Sequence, residues 1–102
     1  MKPSFKLKIQ SAAFEDIQEG VNYYNSKQKG LGKRFFQEIR SSFVTLKKNP
    51  FFQIRYDDVR CFPLKKFPFM VHFTVNEKNG IITVYAVINS HLAPAKNWIK
   101  KE

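Results

Sequence analysis

The segment RCFPLKKFPFMVHF, residues 60–73, consists of two apolar stretches around a pair of lysines. Residues 59–64 and 69–76 are predicted strands, and the sequence KKFP, residues 65–68, is predicted to connect them. Apolar side chains recur at every second position of the later strand and share one face: Phe69, Val71, Phe73 and Val75. Because Pro63 cannot donate a ladder hydrogen bond, its strand is predicted to lie at an edge of the sheet.

The strand pair can be extended in both directions along the chain. Asn79 and Gly80 favour a tight turn, after which residues 81–88 form the third strand of a meander. Near the N-terminus, the segment SFKLKIQ, residues 4–10, alternates apolar residues with lysines and predicts a further strand. Since the strand of Pro63 takes one edge, this first strand is predicted to lie beside residues 81–88. We therefore expect a four-stranded, mainly antiparallel sheet.

Two amphipathic helices are predicted between the first strand and the meander. Apolar residues recur at helical spacing in both: Ala13, Ile17, Val21 and Tyr24 in the first, and Leu31, Phe35, Ile39, Phe43 and Leu46 in the second. The sequence SKQKGLG, residues 26–32, interrupts this pattern and predicts the turn of an αα-hairpin. Residues 51–58, FFQIRYDD, are predicted to form a connecting loop. The expected core contains Ile17, Phe35, Ile39, Phe43, Phe73 and Val84.

These elements predict a single α+β domain over residues 1–102, in the order β-α-α-β-β-β. The helical hairpin is expected to pack on one side of the small sheet. The last segment, APAKNWIKK, begins near Pro94 and predicts a short basic C-terminal helix anchored by Trp98 and Ile99. A chain of 102 residues, of which 43% are apolar, can close one core without disulfides.

The composition favours a cytoplasmic protein with a polyanionic or acidic partner. Cys61 is the single cysteine and cannot form an internal disulfide, and residues 1–10 have no apolar stretch of the kind found in signal peptides. The longest apolar run, residues 81–88, is too short to span a bilayer, so we expect no membrane association. Eighteen lysines and arginines against eight acidic residues give a formal charge of +10, which favours polyanions or acidic proteins.

We predict neither a metal site nor a bound cofactor. His72 and His91 have no second histidine, cysteine or carboxylate at metal-ligand spacing. His72 lies within a predicted strand, where a packing or surface role is expected, whereas His91 follows the last strand, where it could meet a substrate. Cys61 lies in an apolar strand and is expected to be a small core residue rather than a nucleophile.

Cationic side chains carry the remaining functional signal. They are Arg55, Arg60, Lys65, Lys66, Lys96, Lys100 and Lys101. Taken one at a time, these side chains have the ordinary interpretation of solvated surface residues. Clustered near one edge of a small sheet, they could instead bind phosphates or a carboxylate-rich peptide. In a metal-free nuclease, such cations could also stabilise the charge that develops on a phosphoryl group.

Four segments follow one another in an informative order. They are DIQEGVNYYNSKQKGLGKRFFQEI (residues 16–39), LKKNP (46–50), VRCFPLKKFPFMVHFTV (59–75) and VYAVINSHLAPAKNW (84–98). Together they resemble the RelE/ParE family of toxins from type II toxin-antitoxin systems, over nearly the whole chain. The resemblance implies a small cytoplasmic bacterial toxin that a cognate antitoxin neutralises. The positive charge of this chain leads us to expect an acidic antitoxin.

The family has two activities, and the resemblance implies one or the other. RelE-like members cleave messenger RNA on the ribosome, and in that case Arg60, Lys65 and His91 are the implied catalytic residues. ParE-like members inhibit DNA gyrase. This chain has Leu92 where cleaving relatives commonly have an arginine, and no tyrosine follows Tyr85. The paired tyrosines and the GLG motif of the hairpin also look more like the ParE branch, which we favour.

Three functions therefore follow from the sequence. The favoured one is a ParE-like gyrase inhibitor, for which no catalytic residues are assigned. The second is a RelE-like, metal-independent endoribonuclease acting on ribosome-bound messenger RNA. The third is a relic that binds its antitoxin and has no toxic activity.

Overall fold

The computed structural model describes residues 5–90, which form two helices and five strands. In chain order these are β1 (Lys6–Ile9), α1 (Ser11–Lys27), α2 (Leu31–Lys48), β2 (Ile54–Tyr56), β3 (Val59–Pro63), β4 (Phe69–Asn76) and β5 (Ile81–Asn89). The sheet has the strand order β1-β5-β4-β3-β2. β1 runs parallel to β5, and the other three neighbouring pairs are antiparallel. The predicted α+β fold is confirmed, including the position of β1 beside β5.

The sheet differs from the prediction by a fifth strand. Within the expected loop, Ile54 and Tyr56 pair with Arg60 and Val59, so β2 lies at the edge and β3 does not. The argument from Pro63 placed β3 at the edge, and it was wrong for a geometric reason. β2 is short and pairs only with the beginning of β3, so Pro63 lies beyond the reach of its ladder.

The helical hairpin depends on close contacts at two glycines of its facing surfaces. A Cβ atom at Gly20 would lie 2.5 Å from Cε2 of Phe35, so only glycine leaves room for this ring. A Cβ atom at Gly32 would lie 2.5 Å from the carbonyl oxygen of Val21, and the Gly32 N–H donates to Oδ1 of Asn25 at 2.9 Å. These contacts hold α1 and α2 together at both the middle and the turn of the hairpin.

The core lies between the hairpin and one face of the sheet. All six residues predicted for it belong to this cluster, and five are buried: Ile17, Phe35, Ile39, Phe73 and Val84. Phe43 is half-buried and packs at the margin of the cluster. The ring of Phe35 contacts three other aromatic rings, with centroid distances of 5.3 Å to Tyr24, 5.2 Å to Phe67 and 5.0 Å to Phe69.

A carboxylate on α1 completes the hydrogen bonding of β5. The register of β4 and β5 shifts between His72 and Phe73, and β1 has already ended at Ile9. Beyond this point the N–H of Val87 donates to Oδ2 of Asp16 at 3.0 Å. Burial raises the pKa of Asp16, the hydrogen bond from Val87 lowers it, and the neighbouring Glu19 and Glu15 raise it. The acidic segment of α1 therefore contributes directly to the sheet.

Within residues 5–90, no helix is long and apolar enough to cross a membrane. The predicted C-terminal helix, with its residues Trp98 and Ile99, lies outside the described residues.

Gly20→Ala tests the close contact at the centre of the hairpin. The added methyl group would meet the buried Phe35 ring, which its aromatic neighbours hold in place. We expect a loss of about 1–3 kcal/mol in the free energy of unfolding, as is typical of overpacked cores, despite the higher helix propensity of alanine. Gln18→Ala, at an exposed position of the same helix, is the matched control. Equal denaturation midpoints for the two variants would contradict the predicted clash.

Candidate functional site

Lys65 and Lys66 lie on the connection between β3 and β4, at positions that Glu38 of α2 fixes. The Glu38 carboxylate oxygen Oε2 accepts hydrogen bonds from the backbone N–H groups of both lysines, at 3.1 Å from that of Lys66. The backbone of the connection is thereby tied to the helix, while both lysine side chains are exposed. Lys65 and Lys66, both predicted as binding residues, therefore lie side by side on a turn that Glu38 holds in place.

Arg60 has a structural contact on the helix side of the sheet. It pairs with Phe73, whose side chain lies in the core, so both point to the same side. Its Nη1 donates to the carbonyl oxygen of Phe52 at 2.7 Å, and its guanidinium group lies 5.5 Å from the ring centre of Phe51. Arg60 therefore holds the segment before β2 against the sheet. A role in target binding stays a prediction for this residue.

The opposite face of the sheet contains a polar cluster of the buried residues Cys61 and His72 and the half-buried Tyr56. Tyr56 Oη lies 2.8 Å from His72 Nδ1, and Cys61 Sγ lies 3.6 Å from the same nitrogen. Only 3% of His72 and 6% of Cys61 is exposed, so both predicted packing roles agree with the structure. The cluster connects β2, β3 and β4 across the sheet.

The protonation states of this cluster follow from its burial. Burial lowers the pKa of His72 to about 4, and the positive charge of Arg55 acts in the same direction. Burial raises the pKa of the Cys61 thiol, with a smaller opposing effect of Arg55. At neutral pH the imidazole is uncharged and the sulfur is a thiol, which makes both poor candidates for proton transfer or nucleophilic attack.

The described cations do not share one face of the sheet. Arg55 is exposed on the edge strand β2, near the buried cluster, whereas Arg60 lies on the helix side. Lys65 and Lys66 lie on the turn beside α2. The remaining predicted site residues lie outside the described residues: His91, Lys96, Lys100 and Lys101. Among residues 5–90 there is no group of three or more histidine, cysteine, aspartate or glutamate side chains that could hold a metal ion.

Two relevant features were not predicted from the sequence. Glu38 was not predicted to hold the connection, because its partners are 27 and 28 positions away along the chain. The Tyr56–His72 pair was missed because Tyr56 was assigned to a loop. The available signal for an edge strand was the triplet IRY, residues 54–56, in which the charged Arg55 lies between Ile54 and Tyr56.

A scan of protein-family models and a search of curated proteins each found no match. Among solved structures, the chain is similar to the chromosomal ParDE TA system from P. aeruginosa. The TM-score is 0.75 and the identity 18%, over 84% of this chain and 96% of that one. The intact E. coli RelBE toxin-antitoxin complex matches with a TM-score of 0.63 and 12% identity, over 87% of this chain and 100% of that one.

The chain has the RelE/ParE toxin fold. The archaeal RelE-RelB complex from Pyrococcus horikoshii OT3 also matches, with a TM-score of 0.59 and 12% identity, over 88% of this chain and 99% of that one. Each match includes nearly the whole of the other chain and 84–88% of this one, so most of the chain shares the fold. The resemblance inferred from the sequence motifs is confirmed for the fold.

The buried His72 predicts a stability loss in mild acid. In the unfolded chain a histidine gains a proton below about pH 6.5, whereas folded His72 stays neutral until about pH 4. Its contribution to stability is complete above pH 6.5 and is lost as the pH falls toward 4. The pKa difference corresponds to a loss of about 3 kcal/mol in the free energy of unfolding.

Urea denaturation of the wild type and of His72→Gln at several pH values would measure this effect. As the pH falls from 6.5 to 4, the free energy of unfolding of the wild type should decrease relative to that of His72→Gln. The other titrating groups are common to both proteins, so their effects cancel in this difference. Parallel stability curves for the two proteins would contradict a buried neutral imidazole.

Glu38→Ala tests how the lysine turn is held. Without the carboxylate, the N–H groups of Lys65 and Lys66 lose their acceptor, and we expect their amide hydrogens to exchange about tenfold faster. Glu38→Gln retains a carbonyl oxygen and is expected to keep most of the protection. Unchanged exchange in Glu38→Ala would show that other contacts fix the turn.

Proposed function

We propose that this protein is the toxin of a type II toxin-antitoxin system, of the ParE-like branch. In this proposal it acts in the bacterial cytoplasm, arrests growth by inhibiting DNA gyrase and is neutralised by a cognate acidic antitoxin. The observation that carries the proposal is the fold match to the ParDE system, which extends over 84% of this chain at a TM-score of 0.75. The net charge of +10 supports an acidic partner.

The chemistry of the sheet supports binding rather than RNA cleavage. A metal-independent ribonuclease needs a group that takes the proton of the ribose hydroxyl and a cation that stabilises the phosphorane. His72 is buried with a pKa of about 4, which makes it a weak base at neutral pH. Arg60 is engaged with Phe52 on the helix side. In the sequence, Leu92 stands where cleaving relatives commonly have arginine.

A RelE-like endoribonuclease is the alternative function. The likeness in fold to the E. coli RelBE toxin-antitoxin complex supports it. In this alternative Lys65, Arg60 and His91 act on messenger RNA bound to the ribosome. Lys65 is exposed on its turn and is free to contact a phosphate from that position. A relic that only binds the antitoxin is the third possibility.

Two assays with the purified protein separate these functions. Supercoiling by gyrase tests the ParE-like proposal, and primer extension on actively translated messenger RNA tests the alternative. Induced expression in a bacterial host tests for toxicity. Lys65→Ala/Lys66→Ala probes the lysine turn, and Lys6→Ala/Lys8→Ala, at exposed positions of the opposite edge strand β1, is the control with the same change in charge.

The proposal predicts growth arrest, inhibited supercoiling and intact messenger RNA. New message ends with normal supercoiling would overturn it in favour of the RelE-like alternative. Normal growth together with normal supercoiling and intact message would leave the antitoxin-binding relic. Arg60→Ala is a poor probe of catalysis, because it would also release Phe52 from the sheet.

A further inference from the structure

A carboxylate of the protein itself occupies an anion-binding turn. In the connection between β3 and β4, the consecutive backbone N–H groups of Lys65 and Lys66 donate to one oxygen atom, Oε2 of Glu38, at 3.1 Å from that of Lys66. Consecutive N–H groups that converge in this way form a concave site for an anion. Both lysine side chains are exposed on the same turn. The turn therefore combines two backbone donors with two cations, and its anion is a side chain of α2.

The turn lines a groove that is much larger than one carboxylate requires. The groove has a volume of about 860 Å³ and lies between α2 and the connection, residues 65–68. Binding sites for small molecules have volumes of roughly 300–1,000 Å³. Exposed Arg34 of α2 adds a third cation to the lining, and Glu38 is the one acidic residue among the described residues that line it. The charge of the lining therefore favours an anionic ligand of small-molecule size.

Aromatic rings beside the turn provide flat apolar surface in the same groove. Phe62 and Phe67 belong to its lining and are half-buried. Phe62 lies edge-to-face with Phe52 at a centroid distance of 4.8 Å. Phe67 has the same arrangement with Tyr24, also at 4.8 Å. These contacts fix the orientation of both rings before a ligand arrives. Fixed, partly exposed rings are the kind of surface on which a nucleobase stacks.

A phosphate group suits this turn better than a second carboxylate. An incoming anion must displace Glu38, so it needs more contacts than the resident carboxylate makes. A phosphate monoester carries a charge of about −1.5 to −2 at neutral pH and has three terminal oxygens. One oxygen can take the position of Oε2 on the two N–H groups, and the others can reach the ammonium groups of Lys65 and Lys66. A carboxylate has one charge and two oxygens, and it gains no advantage over Glu38.

We propose that this groove binds a nucleotide whose phosphate replaces the Glu38 carboxylate on the N–H groups of residues 65 and 66. The phosphate pairs with the two lysines of the turn and with Arg34. The base stacks on the rings of Phe62 and Phe67. Glu38 acts as an internal competitor that lowers the affinity of the turn for external anions. The inference goes beyond the proposed function and does not rest on it.

Adenosine 5′-monophosphate is the probe of the site, and amide NMR spectra of the full-length protein follow its titration. We expect chemical-shift changes concentrated in residues 34–45 and 62–68. Adenosine and inorganic phosphate should each bind at least about tenfold more weakly, because each lacks one part of the contacts. Equal affinity for adenosine would overturn the phosphate site, and equal affinity for inorganic phosphate would overturn the stacking of the base.

Glu38→Gln tests the internal competitor and should strengthen binding. The amide keeps an oxygen for the two N–H groups but removes the negative charge, so we expect at least about tenfold tighter binding of the nucleotide. Glu77→Gln makes the same change of charge at an exposed position of the turn between β4 and β5, at the far end of β4, and should leave the affinity nearly unchanged. A variant that fails to fold cannot bind more tightly, so the expected gain is not confused with unfolding. Equal affinities of Glu38→Gln and the wild type would contradict the proposed displacement.

Removal of the two lysines tests the cations of the turn. Lys65→Ala/Lys66→Ala should weaken binding of the nucleotide by at least about tenfold. Lys6→Ala/Lys8→Ala changes the net charge by the same amount at exposed positions of β1 and should leave the affinity nearly unchanged. Thermal melting of each variant confirms that it is folded before binding is measured.

Equal losses in the two double variants would overturn the proposal, because binding would then follow net charge alone. Chemical-shift changes outside residues 34–45 and 62–68, or no binding by either the wild type or Glu38→Gln, would also overturn it. Growth and supercoiling are measured without added nucleotide, so growth arrest without nucleotide binding refutes this inference alone. Nucleotide binding by a protein without toxicity refutes the proposed function alone.

Discussion

The packing of the Phe35 ring against Gly20 is the constraint on which the remaining structure depends. The ring occupies the space that a side chain on α1 would fill, and its other sides contact Tyr24, Phe67 and Phe69. One side chain of α2 thus joins both helices, the connection before β4 and β4 itself. Because interiors are densely packed, a small displacement of this ring is transmitted to all of its neighbours.

The same helix positions the candidate binding surface. Glu38 follows Phe35 by three residues, so the two side chains are neighbours on the surface of α2. Because Phe35 is packed in the core, it also determines the position of the Glu38 carboxylate. That carboxylate holds the backbone of Lys65 and Lys66, and Phe67 of the same connection packs on Phe35. The two lysines of the connection and the aromatic ring that follows them are therefore held by one set of contacts. The core packing of α2 and the position of the lysine turn are therefore linked.

The sequence predicted the features that repeat along the chain and missed those that depend on distant pairs. Helical spacing identified the buried face of α2, and alternation identified β4 and β5. β2 is three residues long, too short for alternation to distinguish it from a loop. The contact from Asp16 to Val87 joins residues 71 positions apart, and no local pattern specifies it. Arg60 was interpreted as a free cation because Phe52 becomes its partner only in the folded chain.

The shared fold does not itself choose between the two target classes, because RelE and ParE structures both match along most of their length. The choice must come from side chains that the fold presents to solvent. In the described part of this chain, the imidazole of the sheet is buried and neutral, and the arginine of β3 is tied to a backbone carbonyl. Exposed cations of residues 5–90 instead lie on turns and edge strands, such as Lys65 and Lys66 on their turn and Arg55 on β2. This distribution of charge is the reason that we propose recognition of a target rather than catalysis.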